Sequence, residues 1–103
     1  MGTLIDYRGV SVRVTNERIA HILEHPEMAG METSIAEALR NPDLVVRSLS
    51  DDAASLYYLR CRDTPVGEKY LCAVVKEGAA DSFLLTAYLT DTMKKGDMVW
   101  KKR

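Results

Sequence analysis

The sequence predicts an α+β domain in which N-terminal helices, preceded by a candidate β-hairpin, pack on a four-stranded antiparallel meander sheet. Segments with helical spacing come first along the chain, and segments with strand character follow one another after them. A length of 103 residues, with 47% hydrophobic and 28% charged residues, suits one ordinary folded domain. We therefore expect residues 1–103 to form a single domain, with one sheet face under the helices and the other open to solvent.

The first predicted elements are two short strands and a helix. Thr3 to Tyr7 and Val10 to Val14 flank a turn, and the valines of the second segment alternate with polar residues, as in a half-buried strand. Thr15 is typical of a helix N-cap, so a helix is predicted from Asn16 to about His25. Its apolar stripe is Ile19, Ile22 and Leu23. Pro26 ends this helix because proline lacks the backbone N–H that a continuing helix needs.

A second, shorter helix and four strands complete the predicted domain. Ser34 and Glu37 form a capping box in front of Leu39, which indicates a short helix that must dock on the rest of the domain. The predicted strands are Leu44 to Ser50, Ala54 to Arg62, Lys69 to Lys76 and Ser82 to Thr90. Turn residues separate these strands, and Lys95-Gly96-Asp97 turns the chain once more before Trp100.

Alternation along the predicted strands sorts their side chains by sheet face. On the last long strand the expected core residues are Phe83, Leu85, Ala87 and Leu89, and the opposite row is Leu84, Thr86, Tyr88 and Thr90. If the strand register allows, one polar surface is shared by Arg47, Tyr58, Arg60, Thr86 and Tyr88. The alternative is an ordinary solvated sheet face. Side-chain periodicity does not determine the register, so both interpretations stay open.

The charge of the chain excludes one class of nucleic-acid binder. A net charge of −1 argues against a protein held on nucleic acid by its overall charge. Cations are nevertheless grouped in two places along the sequence. The C-terminal group is Lys94, Lys95, Lys101, Lys102 and Arg103, and the second group is Arg47, Arg60 and Arg62. Scattered, solvated charge is the alternative to a local basic site.

No segment of the sequence is typical of a membrane span, a signal peptide or a disulfide scaffold. The apolar runs are far shorter than the ~20 residues that cross a bilayer. The start of the chain has neither a basic segment nor an apolar one, so a cytoplasmic location and no membrane partner are expected. Cys61 and Cys72 are then expected to be reduced, half-buried thiols.

The two histidines lie on the first predicted helix. His21 and His25 are four residues apart, and with Glu24 they match the pattern H-x-x-E-H of inverted zinc proteases. A zinc hydrolase needs a third protein ligand, and no later helix offers an obvious one. Pro26 also ends the helix where that motif needs it rigid. A simpler alternative is two exposed histidines at a helix C-terminus, where the helix dipole favours positive charge.

Metal-free proton transfer is a third interpretation of these histidines. Imidazole titrates near neutral pH and suits general acid–base catalysis. Beside arginines, lysines and tyrosines it would cleave a phosphodiester without metal or cofactor, since cations stabilise the charge that gathers on the phosphate. The sequence contains no P-loop, no dinucleotide-binding glycine pattern and no G-x-S-x-G nucleophile elbow. A ribonuclease-like activity is therefore a candidate function.

Several short motifs, in order, resemble one family of small domains. The first motifs are Glu17-Arg18, His21-Ile22 and His25-Pro26-Glu27-Met28, followed by Leu39 to Asp43, Arg47-Ser48 and Tyr57-Tyr58. The last are Phe83 to Asp91, Lys94-Lys95-Gly96 and Trp100. Together they are similar to the barnase–EndoU–colicin–RelE-like nuclease domains, in particular to the phage- and toxin-associated branch. The resemblance covers about residues 10 to 100.

This resemblance implies a RelE-like domain of N-terminal helices and a four-stranded sheet that cleaves RNA without metal or cofactor. By resemblance His21 is the first candidate for proton transfer and His25 the second, and Arg47 clamps the phosphate. The residues that would orient or protonate the substrate are Tyr58, Thr86 and Tyr88. Lys94 and Lys95 would hold the RNA backbone, and Arg60 joins them as an RNA-binding candidate.

Two other functions stay open at this point. The first is a catalytically silent binding module of the same fold, which binds RNA or a protein without cutting. The second is the zinc hydrolase described above. RNA is the expected partner of an active nuclease, and an antitoxin or another protein is a further candidate partner.

Overall fold

The structure, a computed structural model, describes residues 2–102. Within this range seven strands and two α-helices follow one another. They are β1 Thr3–Ile5, β2 Ser11–Arg13, α1 Asn16–Leu23, α2 Glu32–Arg40, β3 Leu44–Ser48, β4 Ala54–Thr64, β5 Gly67–Glu77, β6 Ser82–Thr90 and β7 Gly96–Lys101. A single 3-10 turn, Pro26–Met28, lies between the helices. No helix formed by residues 2–102 is long and apolar enough to cross a membrane.

The strands form one seven-stranded mixed sheet in the order β1-β2-β6-β5-β4-β3-β7. The four long strands predicted from the sequence are its centre and pair antiparallel with one another. The predicted four-stranded antiparallel meander is nevertheless wrong, because the sheet continues at both sides. β2 joins β6 in parallel through Arg13 and Phe83, and β7 pairs with β3. Both additions join segments that are distant in the sequence, which local periodicity does not reveal.

The two helices differ in the residue that precedes their first turn. Thr15 caps α1, and its hydroxyl accepts a hydrogen bond from the Arg18 backbone N–H at 3.1 Å, as predicted. α2 begins at Glu32, with Met31 at its N-cap, so the capping box at Ser34 does not mark its start. Met31 is buried in the core. Its packing therefore positions the first turn more strongly than the local side-chain cap.

The main core lies between the helices and one face of the sheet, which we call the helical face. Ile22 of α1 and Ile35 and Leu39 of α2 pack there against alternate residues of β5, among them Leu71 and Val75. These side chains are fully or almost fully buried. Burial of an aliphatic side chain of this size contributes about 1.5–3 kcal/mol, so this layer is the main source of stability.

The opposite face, which we call the second face, has its own apolar cluster. Leu56 and Tyr58 of β4 pack there against Cys72 and Val74 of β5. The connection between β6 and β7 runs across this face, since three strands separate the two in the sheet and the Lys94 backbone N–H donates to the Tyr58 hydroxyl at 2.8 Å. The expectation of a second face open to solvent is therefore wrong around Tyr58, which is fully buried.

A β-bulge decides which residues of β6 face the core. Val74 pairs with Thr86, but its neighbour Val75 pairs with Leu84, so Leu85 is an extra residue in β6. Leu84 is consequently buried on the helical face, and Leu85 packs with the second cluster. The predicted core positions Phe83 and Leu85 are wrong for this reason, since one extra residue exchanges the faces of every side chain on that side of it.

The tip of the β1–β2 hairpin folds over the helical face and carries a buried carboxylate. Asp6 is fully buried and accepts hydrogen bonds from the backbone N–H groups of Arg8 and Val10 and from the Arg8 guanidinium at 2.8 Å. The Tyr57 hydroxyl also donates to it at 3.3 Å. The Tyr7 ring lies 5.1 Å from the Trp100 ring, centroid to centroid. The hairpin thus contacts β4 through Tyr57 and β7 through Trp100.

Candidate functional site

Four of the residues predicted from the sequence share the second face. Tyr58 pairs with Cys72, which pairs in turn with Tyr88, so the two tyrosines lie in one row across β4, β5 and β6. Arg60 and Thr86 lie two residues away from these tyrosines along their strands, on the same face. The predicted shared surface therefore exists for Tyr58, Arg60, Thr86 and Tyr88.

Arg47 is not part of this surface. It pairs with Ser55 and Asp97 and follows Val46, whose side chain belongs to the cluster of the second face. Arg47 therefore points to the helical side of the sheet, and its side chain is exposed. The shared surface predicted from the sequence is incorrect in this one member.

The histidines are also separated from the second face. His21 and His25 are exposed on α1 and just after it, while the neighbouring Ile22 packs into the core of the helical face. The sheet and this core lie between the imidazoles and the Tyr58 and Tyr88 hydroxyls. His21 Nδ1 lies 3.5 Å from Glu24 Oε2 on the surface of the helix. The structure therefore does not bring an imidazole to the predicted phosphate site.

Metal ligation by the histidine motif lacks its further ligand. Within residues 2–102, no three His, Cys, Asp or Glu side chains converge as ligands of one ion would. Cys61 and Cys72 are both free. They lie on opposite faces of the sheet, since Cys61 packs against the core of the helical face and Cys72 belongs to the other cluster.

The centre of the second face is a group of neutral hydrogen-bonding side chains. Cys72 lies between Tyr58 and Tyr88, on the strand that pairs with both of theirs. Burial raises the pKa of Tyr58 to about 12 and also raises the pKa of Tyr88 and of Cys72. All three groups are therefore protonated at neutral pH. They suit hydrogen bonding better than the acceptance of a proton from a substrate.

The connection between β6 and β7, residues 91–95, covers this group and supplies two predicted cations. Lys94 is fixed by its backbone bond to Tyr58, and its ammonium lies 5.9 Å from the centre of the Tyr88 ring. Lys95 is exposed beside it. The Asp91 carboxylate accepts from Lys69 at 2.5 Å and holds the start of the connection on β5. Both predicted RNA-binding lysines thus lie on or beside the second face.

Next to this connection lies a cleft of about 660 Å³, which we call the basic cleft. Four cations line it, namely Arg60, Arg62, Lys101 and Lys102. Its apolar lining is Leu44, Leu59, Tyr70, Met93 and Met98. Met98 is 65% exposed and Met93 39% exposed, which is unusual for side chains of this hydrophobicity. The cleft therefore combines positive charge with an exposed apolar surface.

The cations of the basic cleft differ in whether a carboxylate forms an ion pair with them. Arg60 pairs with Glu68 at 2.5 Å. Arg62, Lys101 and Lys102 take part in no ion pair with any other residue of the described range 2–102. Unpaired cations around one concave surface attract an anion more strongly than the near-neutral net charge of the chain suggests.

Part of this cleft has no signal in the sequence. Strand alternation placed Arg62 beside Arg60, but Tyr70 and Met98 reach the same surface only through strand pairing. Lys101 and Lys102 belong to a basic group visible in the sequence, and β7 brings that group next to β3.

Comparison of the chain with protein-family models, curated proteins and solved structures gives no match. The likeness to nuclease domains therefore stays a prediction.

Proposed function

We propose that this domain is an RNA-binding module that holds single-stranded RNA in the basic cleft without cutting it. The observation that carries the proposal is the set of unpaired cations, Arg62, Lys101 and Lys102, around one apolar surface. Phosphates need such cations, and the half-buried Tyr70 ring offers a base a surface on which to stack.

Two further observations support RNA as the ligand. Lys94 and Lys95 directly follow Met93, which lines the cleft, so they add positive charge beside it. The volume of about 660 Å³ is in the range of sites for small ligands, so one nucleotide of a strand can enter it. The likeness of the chain to RNA-cleaving domains, together with RNA as partner, favours the cytoplasm as its location.

Binding without cleavage is proposed because the expected catalytic groups are apart. His21 and His25 lie on the helical side, and Tyr58 and Tyr88 keep their protons at neutral pH. Neither an imidazole nor a deprotonated tyrosine of the predicted site is therefore positioned at the basic cleft to take the proton of the 2′-hydroxyl. Ribonuclease activity that depends on His21 stays a prediction of the sequence, and the experiment below decides between it and binding alone.

We expect the R62Q/K101Q double variant to bind labelled single-stranded RNA at least about tenfold more weakly than the parent protein. Fluorescence anisotropy between about 50 and 200 mM salt measures both affinity and salt dependence. Three phosphate contacts predict a slope of log K against log salt of about −2, and removal of two cations reduces this slope accordingly. The matched control is R40Q/R47Q, which removes the same charge from exposed residues away from the cleft and leaves RNA binding unchanged.

The same samples, kept in EDTA and run on a denaturing gel, report whether the RNA stays intact. Intact RNA together with salt-dependent binding supports the proposal. Cleavage that persists in EDTA and disappears in the H21A variant contradicts it and restores the histidine-dependent ribonuclease. Absence of binding by the parent protein, or equal losses in the two double variants, also overturns it.

A further inference from the structure

Two methionines expose their side chains in the basic cleft, although phosphates need only its cations. Met98 is 65% exposed and Met93 39% exposed, and both line the cleft. The other two methionines of residues 2–102, Met28 and Met31, are buried in the core of the helical face. A thioether in an open cleft is accessible to a small oxidant, whereas close packing shields one in the core.

Both exposed methionines belong to segments with fixed places in the fold. Met98 pairs with Val46, whose side chain belongs to the cluster of the second face, so Met98 lies on the same side of the sheet. Met93 directly precedes Lys94, whose backbone N–H donates to the Tyr58 hydroxyl at 2.8 Å. The exposure of the two thioethers is therefore a property of the cleft itself.

We infer that Met93 and Met98 form an oxidation site that controls the basic cleft; this inference rests on the proposed binding of RNA. A hydroperoxide transfers its terminal oxygen atom to the thioether sulfur, and the O–O bond breaks. The proton of that oxygen moves to the leaving oxygen, which departs as water or an alcohol. Sulfur is oxidised by two electrons and the peroxide is reduced by two, so the step needs no further reactant. The product is methionine sulfoxide, which sulfoxide reductases convert back to methionine.

Oxidation changes both properties of the cleft that RNA binding uses. A thioether is polarisable and makes favourable contacts with aromatic rings, including those of bases. The sulfoxide is polar, so these contacts are weakened. Its oxygen also accepts hydrogen bonds, and Arg62 and Lys101 in the same lining are donors. Donors that bond to a sulfoxide are less available to phosphates.

The two cysteines are poorer targets for a peroxide. Cys72 is fully buried and Cys61 is half-buried. Burial raises the pKa of both thiols, so at neutral pH they are protonated and lack the reactivity of a thiolate. A peroxide should therefore act first on the methionines of the cleft.

The test treats the protein with hydrogen peroxide, removes the excess and measures the binding of labelled single-stranded RNA by anisotropy. Peptide mapping by mass spectrometry should find Met93 and Met98 oxidised well before Met28 and Met31. The affinity should then fall by about fivefold, in line with the loss of contacts between thioethers and aromatic rings. Methionine sulfoxide reductases should restore it, whereas dithiothreitol, which reduces oxidised thiols, should not.

The matched variants are M93L/M98L and M28L/M31L, which exchange two methionines for leucines in the cleft and in the core. Leucine is close to methionine in volume, and thermal unfolding checks that each variant is folded. Each variant is compared with its own untreated sample. Peroxide should leave the affinity of M93L/M98L unchanged and should lower that of M28L/M31L as in the parent protein.

Three results would overturn the inference while leaving the proposed function intact. They are equal rates of oxidation at all four methionines, an RNA affinity that survives complete oxidation of Met93 and Met98, and an equal loss of affinity in M93L/M98L. Failure of the untreated protein to bind RNA would refute the proposed function, and control of the cleft by oxidation with it.

Discussion

Replacing Asp6 with alanine is expected to destabilise the domain by about 3 kcal/mol. The buried groups that bond to the Asp6 carboxylate would be left without a hydrogen-bond partner. Two backbone N–H groups and the Tyr57 hydroxyl lose their acceptor at once, and Arg8 keeps only Glu77 as an ionic partner. Chemical denaturation measures the difference in the free energy of unfolding. D81A is the control, since its exposed carboxylate pairs with Arg13 at the surface and its loss should change stability far less.

The same carboxylate predicts a pH dependence. Burial raises the pKa of Asp6, but hydrogen bonds from Arg8 and from the Val10 and Arg8 N–H groups outweigh it and hold the pKa below its ordinary value of 3.8. Its contribution to stability is complete above that value and is lost as the pH falls through the lower, folded-state pKa. D6N should therefore lose less stability than the parent protein on acidification below about pH 4. Equal losses in the two proteins would contradict the proposed role of this network.

Replacing Gly96 with alanine is expected to destabilise the domain by about 2 kcal/mol, by overpacking between two backbones. A Cβ atom at Gly96 would overlap the carbonyl oxygen of Arg47, so the start of β7 must move away from β3. Lys101 ends the same strand and Lys102 follows it directly, so RNA affinity should fall together with stability. Thermal unfolding and anisotropy measure the two effects.

G2A is the control for this substitution, since no atom lies within 4 Å of the Cβ position at Gly2. Its stability should be unchanged or slightly higher, because alanine restricts the unfolded chain. If G96A is as stable as G2A, the close approach of β3 and β7 is not a constraint on the fold.

Local patterns predicted the elements of this fold better than their arrangement. Thr15 and the isoleucines of α1 marked a helix that the structure confirms, because capping and the apolar stripe act within a few residues. The parallel pairing of β2 with β6 and the place of β7 beside β3 depend on contacts across most of the chain. The bulge that exchanges Leu84 and Leu85 is likewise invisible to alternation, since alternation assumes an unbroken ladder.

The candidate site, like the fold, could be predicted from the sequence only where local patterns determine it. Alternation grouped Tyr58 with Arg60 and Thr86 with Tyr88, and sequential hairpins brought the two pairs to one face. The sequence around the histidines does not indicate on which face of the sheet their helix packs. Asp43 also lines the basic cleft, and the sequence does not indicate this, because its position follows from its bonds to the Arg60 and Lys102 N–H groups.

The path of the chain from β6 to β7 across three strands has a consequence for the order of assembly. β7 lies at the edge of the sheet and pairs only with β3, so we expect it to be added last during folding and to open first from the native state. Amide hydrogen exchange should then be faster in β7 than in β5, and bound RNA should slow it by mass action. Bound RNA would in this way stabilise mainly the edge strand β7, and the core of the domain would change little.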